Sequence, residues 1–180
     1  DGYTVTMITV ELATLPPQGL APFTNANFIP IMQVNAEPSA ITVKADAPWS
    51  TVEEFLAYSK ENPGQVKVGN SGIGAIWHLA AAAIEMETGV KFNHIPYEGA
   101  APAIAALLGG HIEAVTVSPA EVASQVKGGQ LKILAVVGNE RSKNFPEVPT
   151  LKEKGYDVAI GTWRGLAVPK DTPDNIVQTL

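Results

Sequence analysis

The sequence has no cysteine. That excludes disulfides, thiolate nucleophiles and cysteine zinc sites, and says nothing about compartment. Charge is also scarce, at 17% of residues, and 12 Lys and Arg against 18 Asp and Glu leave a net charge of −6. No cluster of Lys and Arg occurs, which argues against nucleic acid as a partner. No apolar run reaches the ~18 residues that a membrane span needs, so the chain is read as not membrane-spanning. No secretory leader precedes Asp1, so the reading is a cytosolic chain or a trimmed one, and the abrupt start at Asp1-Gly2-Tyr3-Thr4 favours trimming. The three histidines, His78, His94 and His111, lack metal-ligand spacing. There is no G-x-S-x-G elbow and no evident acid/base pair of carboxylates. Catalytic residues, metal and cofactor are therefore all assigned as none.

What is present is a strand-and-helix alternation in a chain long enough to bury a core, with 46% hydrophobic residues. Strands are expected at 3–10 (buried on both faces), 28–35, 40–44, 66–68, 92–95, 113–117, 131–137 and 161–168. Residues 11–27, with three prolines, are expected to form a long loop. Ser50-Thr51-Val52-Glu53 reads as a capping box opening a helix that Asn62-Pro63-Gly64 stops. Further helices are expected at about 101–108 and 120–127, the latter capped by Ser118, then from Thr150 to Gly155 and after Pro173. Such alternation implies parallel sheets and an α/β class.

The organising stretch is 66–89. A short strand enters Gly69-Asn70-Ser71-Gly72-Ile73-Gly74, and an alanine-rich helix leaves it and ends at Gly89. The first N–H groups of a helix have no partner within it, and the aligned peptide dipoles make that end partly positive. With glycines baring the backbone, the turn is suited to an anion without needing Lys or Arg. The same joint is plain scaffold in most α/β folds. Its spacing is neither the dinucleotide fingerprint nor a P-loop. Ser71 is read as helix N-cap, carboxylate donor or both. Thr9, Val10 and Glu11 follow the first strand, where open α/β sheets commonly bind ligands. His78 is read as a packed histidine and not a base, and Trp77 as core. Tyr97 is either a ligand contact or a buried tyrosine with a satisfied hydroxyl.

Several pieces, in order, resemble the substrate-binding proteins of tripartite tricarboxylate transporters, the Bug or TctC family. They are Asp1-Gly2-Tyr3-Thr4, Asn62-Pro63-Gly64, Asn70-Ser71-Gly72-Ile73-Gly74 with His78-Leu79, Ile95-Pro96-Tyr97-Glu98-Gly99, and Ala106-Leu107-Leu108-Gly109-Gly110-His111-Ile112-Glu113. Leu131-Lys132-Ile133-Leu134-Ala135-Val136, Pro146-Glu147-Val148-Pro149-Thr150-Leu151, Trp163-Arg164-Gly165-Leu166 and Val168-Pro169 follow. The resemblance implies a two-lobed α/β receptor of the periplasmic-binding-protein-like type II fold, with parallel-rich sheets flanked by helices. It implies that the N-terminal part of lobe one is missing. Lobe one would hold 1–34 and 135–180, and lobe two 35–134, with hinge crossings near 35–42 and 130–136.

By the same resemblance, the protein is not an enzyme. It is a periplasmic or otherwise extracytoplasmic receptor that passes a small organic carboxylate to membrane permease subunits. One carboxylate of the ligand would sit on Ser71, Gly72, Ile73, Gly74 and Ala75, with Asn70 beside them. Ser118 would point toward the cleft, and Trp163 and Arg164 would line its mouth, with a salt bridge between the lobes as the rival reading for Arg164. Ala75 departs from the family's usual Ser or Thr, Glu98 from its lysine and Glu113 from its aspartate. Two other readings stand beside this one: an α/β enzyme acting on an organic acid, and a ligand-sensing domain.

Overall fold

The computed structural model describes residues 4–180. The elements in chain order are β1 (Thr6–Thr9), α1 (Glu11–Thr14), β2 (Phe28–Lys44), α2 (Val52–Glu61), β3 (Lys67–Asn70), α3 (Ile76–Thr88) and β4 (Asn93–Pro96). Then come α4 (Ala100–Leu108), β5 (Ala114–Val117), α5 (Ala123–Lys127), β6 (Leu131–Val137), β7 (Gly161–Pro169) and α6 (Asp174–Val177). By their contacts the residues fall into two units, one of Asp1–Ala36 with Thr162–Leu180 and the other of Glu37–Gly161. Residues 135–161 group with the second unit, whereas the sequence reading places them in lobe one. Their packing explains it: Leu151 and Val158 are buried in the second unit's core, and Leu151 N–H donates to Val136 O at 2.9 Å.

The second unit is built on a mixed sheet with strand order β6–β2–β5–β3–β4. β3 runs parallel to β4 and β5, and β2 runs antiparallel to β5 and β6. The sheet is parallel only where a helix carries the chain across it: α3 joins β3 to β4, and α4 joins β4 to β5. Parallelism makes β3, β4 and β5 end on one edge. Asn70, Pro96 and Val117 are their last residues, so the turn at 71–75, the loop at 97–99 and Ser118 all leave from that edge.

The core behind this edge is aromatic and aliphatic. Phe55 is fully buried, with Trp49 edge-on at 5.2 Å and Phe92 at 5.9 Å between ring centroids. Ile41, Val43, Val68, Ile84 and Leu134 complete the cluster. α3 buries Ile76, Trp77, Ala80, Ala81 and Ile84, an i, i+4 stripe facing the sheet. Gly89 ends this helix in the left-handed region at φ 76°, as expected.

Several local expectations change. Residues 3–10 do not form a doubly buried strand. β1 covers only Thr6–Thr9, its Met7 is 60% exposed, and residue 3 lies outside the described residues. Among the described residues β1 lies at the end of the strand order, paired with β7. The loop at 11–27 holds α1 and two 3₁₀ turns, Pro16–Gln18 and Asn25–Asn27. The two strands expected at 28–35 and 40–44 are one 17-residue strand. Pro38 does not break it, because β2 changes partner there. Gly161, at the start of β7, packs on Glu37 and Pro38, and the ladder with β6 begins at Ser39.

The capping box is displaced by one residue. Thr51, not Ser50, is the cap: its Oγ1 accepts the Glu54 N–H at 3.2 Å, and the Glu54 carboxylate accepts the Thr51 and Ser50 N–H groups. The run Ser50-Thr51-Val52-Glu53-Glu54 contains both registers of S/T-x-x-E, so spacing alone does not choose between them. α5 begins at Ala123 rather than 120, and Ser118 is not its cap.

Two stability outcomes follow. In urea unfolding, Thr51→Ala should lose about 1 kcal/mol and Ser50→Ala much less. A β-carbon on Gly161 would lie 2.8 Å from Pro38 Cα and closer still to Glu37 O. Gly161→Ala should therefore cost about 1–3 kcal/mol by overpacking against backbone, and wild-type stability in that variant would refute the close approach.

Candidate anion-binding site

The site begins with how the β3–α3 turn is held. Thr116 of β5 donates its hydroxyl to Trp77 O at 2.7 Å, which fixes the first turn of α3 to the sheet. The Glu113 carboxylate accepts the Lys67 N–H at 2.8 Å and fixes the start of β3. Tyr97 N–H donates to Asn70 O at 3.1 Å, so the β4–α4 loop lies against the turn. Between these anchors Gly72 and Gly74 take φ of 108° and 80°. Side chains rarely adopt these values, and they let the chain reverse within five residues.

The helix cap is Ala75, with no side-chain cap bond. Ser71 is therefore not the N-cap that the sequence suggests. It stands four residues earlier, half-buried, with its hydroxyl uncommitted to the helix. Of the five turn amides, three are bonded within the chain. Gly72 N–H donates to Asn70 Oδ1 at 3.0 Å, Gly74 N–H to His78 Nδ1 at 3.2 Å, and Ala75 N–H to Gly72 O at 3.1 Å. The amides of Ser71 and Ile73 have no such bond among the described residues. Asn70 is fully buried, and its Nδ2 is a donor with no partner. Ile73, between the two left-handed glycines, is 70% exposed.

Beside the turn is a pocket lined by Gly72, Pro96, Tyr97, Glu98 and Pro102. Its walls are apolar, and its one charged residue is Glu98. Sequence reasoning named Tyr97 and Glu98 but did not join them to Gly72; that needed the parallel pairing of β3 with β4. His78 is held below the ordinary histidine range, first by burial and then by neighbouring His94, with Glu85 pulling the other way. The ring is thus neutral near pH 7, which suits an Nδ1 that accepts the Gly74 N–H.

Ser118 leaves the same sheet edge, 3% exposed. Its N–H and its hydroxyl both donate to Glu121 Oε2, each at 2.9 Å. Glu121 was missed in the sequence, although Ser118 and Glu121 have S-x-x-E spacing, the signature of a reciprocal cap. Thr9 and Val10 belong to the other unit. The Thr9 hydroxyl donates to the Glu11 carboxylate. Val10 is buried, and its carbonyl accepts the Ala13 N–H at 2.9 Å. That unit has an apolar pocket of its own, where Trp163 meets Ile8, Leu12, Phe28 and Met32. Arg164 pairs in register with Thr9 across β1 and β7.

Among the described residues, no group of three His, Cys, Asp or Glu side chains is placed to hold a metal ion. No helix there is long and apolar enough to cross a membrane.

The geometry can be set beside known proteins. The pattern described as the tripartite tricarboxylate transporter family receptor, TctC, matches residues 1–180. A UPF0065 protein in the gbd 5′ region of Cupriavidus necator is 38% identical over all of this chain and 55% of its own length. A TctC solute-binding protein from Polaromonas, solved without ligand, superposes with a TM-score of 0.87 at 58% identity, over 99% of this chain and 61% of that one. The periplasmic binding protein BugD superposes at 0.83 with 31% identity, over 99% of this chain and 60% of its own. The chain thus spans between about half and three fifths of the length of these relatives. Matched along its whole length by the family pattern and by a 58% identical solved receptor, the chain belongs to the tripartite tricarboxylate transporter receptor family.

Proposed function

We propose that this chain carries the carboxylate-binding turn of an extracytoplasmic solute-binding receptor, which captures a small organic acid and delivers it to the permease subunits of a tripartite tricarboxylate transporter. The observation that carries the reading is the set of donors at the carboxyl edge of β3. The Ser71 and Ile73 amides, the Ser71 hydroxyl and the buried, unpartnered Asn70 Nδ2 all lie within the four residues 70–73. A carboxylate accepts several such bonds at once, and bonds to a charged acceptor are the strong ones. The partly positive start of α3 adds to them.

In this reading Gly72, Gly74 and Ala75 shape the turn, and their own amides are spent on doing so. Ile73 offers its amide and an exposed apolar side chain. Ser118, whose proton goes to Glu121, would meet a ligand as an acceptor. Thr9 and Val10 remain proposed contacts of the other unit; with Val10 buried, that contact would be through main chain. The action is binding and release without turnover, in the periplasm or its equivalent. MatC from Rhodopseudomonas palustris, solved with bound malate, shares the fold at 23% identity, which bears on what this fold can seat and not on this protein's ligand.

Titration calorimetry of the intact protein against a panel of mono-, di- and tricarboxylates tests the reading. At least one should bind, with no product formed. Silence across the panel, or turnover seen by mass spectrometry, would sink it. Ser71→Ala should weaken the best binder by about 1–3 kcal/mol, the worth of one hydrogen bond to a charged group. An unchanged affinity would remove Ser71 from the site.

A further inference from the structure

The turn at 71–75 is held on its inner side by a side chain that the reading above does not use. Gly74 N–H donates to His78 Nδ1 at 3.2 Å. An accepting imidazole nitrogen carries no proton, so His78 is the neutral tautomer with its proton on Nε2. The ring stands against His94 of β4, 4.9 Å between centroids and 68° between planes. His94 Nε2–H donates to Glu85 Oε2 at 3.1 Å, and Glu85 Oε1 accepts the Phe92 N–H at 2.5 Å. Glu85 lies seven residues after His78 on α3, two turns along the same face. The Glu85 carboxylate is thus fixed by Phe92, the residue before β4, and orients His94, and His94 backs the ring that holds Gly74. His94 Nδ1 is buried without a partner, so this ring has no second bond that would turn it away.

We propose that His78 is a positioning residue of the anion-binding turn: by accepting the Gly74 N–H, it fixes the 73–74 peptide plane and so limits the rotation of the adjoining 72–73 plane, which offers the Ile73 amide to a carboxylate. This rests on the carboxylate reading of that turn. The need for such a residue is physical. Glycine has the widest backbone freedom of any residue, and Gly72 and Gly74 both take positive φ. Donors aimed in advance bind more tightly than donors that must be ordered by the ligand. At the other end of the turn, Asn70 Oδ1 accepts the Gly72 N–H and fixes the 71–72 peptide plane in the same way.

The device has a pH signature. The titratable groups facing His78 are His94 from β4 and Glu85 from its own helix. Burial and His94 hold His78 below its ordinary range, so the bond to Gly74 is intact at neutral pH. As pH falls through the His78 titration, Nδ1 gains a proton and becomes a donor facing a donor. The Gly74 bond is lost and the turn loses its fixed form. Carboxylate affinity therefore falls on acidification below the usual histidine range.

The test uses the intact protein and two substitutions. In His78→Asn the side-chain oxygen stands where Nδ1 stood and does not titrate. In His78→Leu the acceptor is gone. Two-dimensional NMR without ligand comes first. The Gly74 amide shift should titrate with the His78 ring in the wild type and stay flat in His78→Asn. A Gly74 amide that ignores the His78 titration overturns the proposal, whatever the ligand. Binding comes second, with malate, succinate and adipate as probes. His78→Leu should bind about five-fold more weakly, the worth of one neutral hydrogen bond, and His78→Asn within about two-fold of wild type. The wild-type to His78→Asn affinity ratio, which cancels protonation of the probe, should fall as pH drops. Equal affinity of wild type and His78→Leu, or a ratio that stays level or rises with acid, overturns it. If no probe binds any form, the carboxylate reading fails, and the NMR result still decides whether His78 holds the turn.

Discussion

The structure of this chain depends on where the peptide N–H groups between β3 and α3 find acceptors. A helix start leaves amides without intrahelical partners, and a buried polar group without a partner costs about 1–3 kcal/mol. Here the chain answers part of that demand itself. Asn70 Oδ1, His78 Nδ1 and Gly72 O take three amides and fold the turn. The rest stay on offer at an edge that three parallel strands share. Under the proposed function an anion would complete the accounting, and backbone amides would let a protein of net charge −6 attract one.

Unpartnered polar atoms do not all carry the same meaning. Ser39 Oγ and Thr42 Oγ1 are buried without partners too, yet both lie on β2 within the sheet. Asn70 Nδ2 differs in place and chemistry. It is a pure donor, it ends β3, and its companion oxygen already shapes the turn. Position decides between a tolerated defect and a binding group. The anchors beneath it support the second reading: Thr116 to Trp77 O and Glu113 to Lys67 N–H hold the turn on rigid elements rather than on a loop.

Capping chemistry recurs along the chain, and it shows how one signal can be read in more than one register. Thr51 with Glu54, and Thr150 with Glu153, are reciprocal pairs, each joining a hydroxyl and a carboxylate across three residues. Ser118 with Glu121 has the same spacing, but there the hydroxyl donates to the carboxylate, and the pair closes a turn ahead of α5. The pattern identifies a chain reversal. Which residue becomes the cap is set by which side chains the core accepts.

The residue pattern alone determined the α/β alternation, the alanine-rich helix with its Gly89 stop, and the glycine turn that leads into it, because periodicity, capping and glycine placement are local properties. Its order of short motifs also determined the family. It did not determine that 28–44 is one strand, since a proline breaks a strand only where a neighbouring strand needs an N–H at that position, and the neighbour that packs there, Gly161 of β7, is more than a hundred residues away. Nor did it determine which amides of the turn are spent. The partners of Gly74 and Ser118 are four and three residues away in sequence, but each bond forms only when the sheet and the rings of His78 and His94 fix the side chain's direction. Local sequence sets what a segment can donate; tertiary packing decides which donors are left over for a ligand.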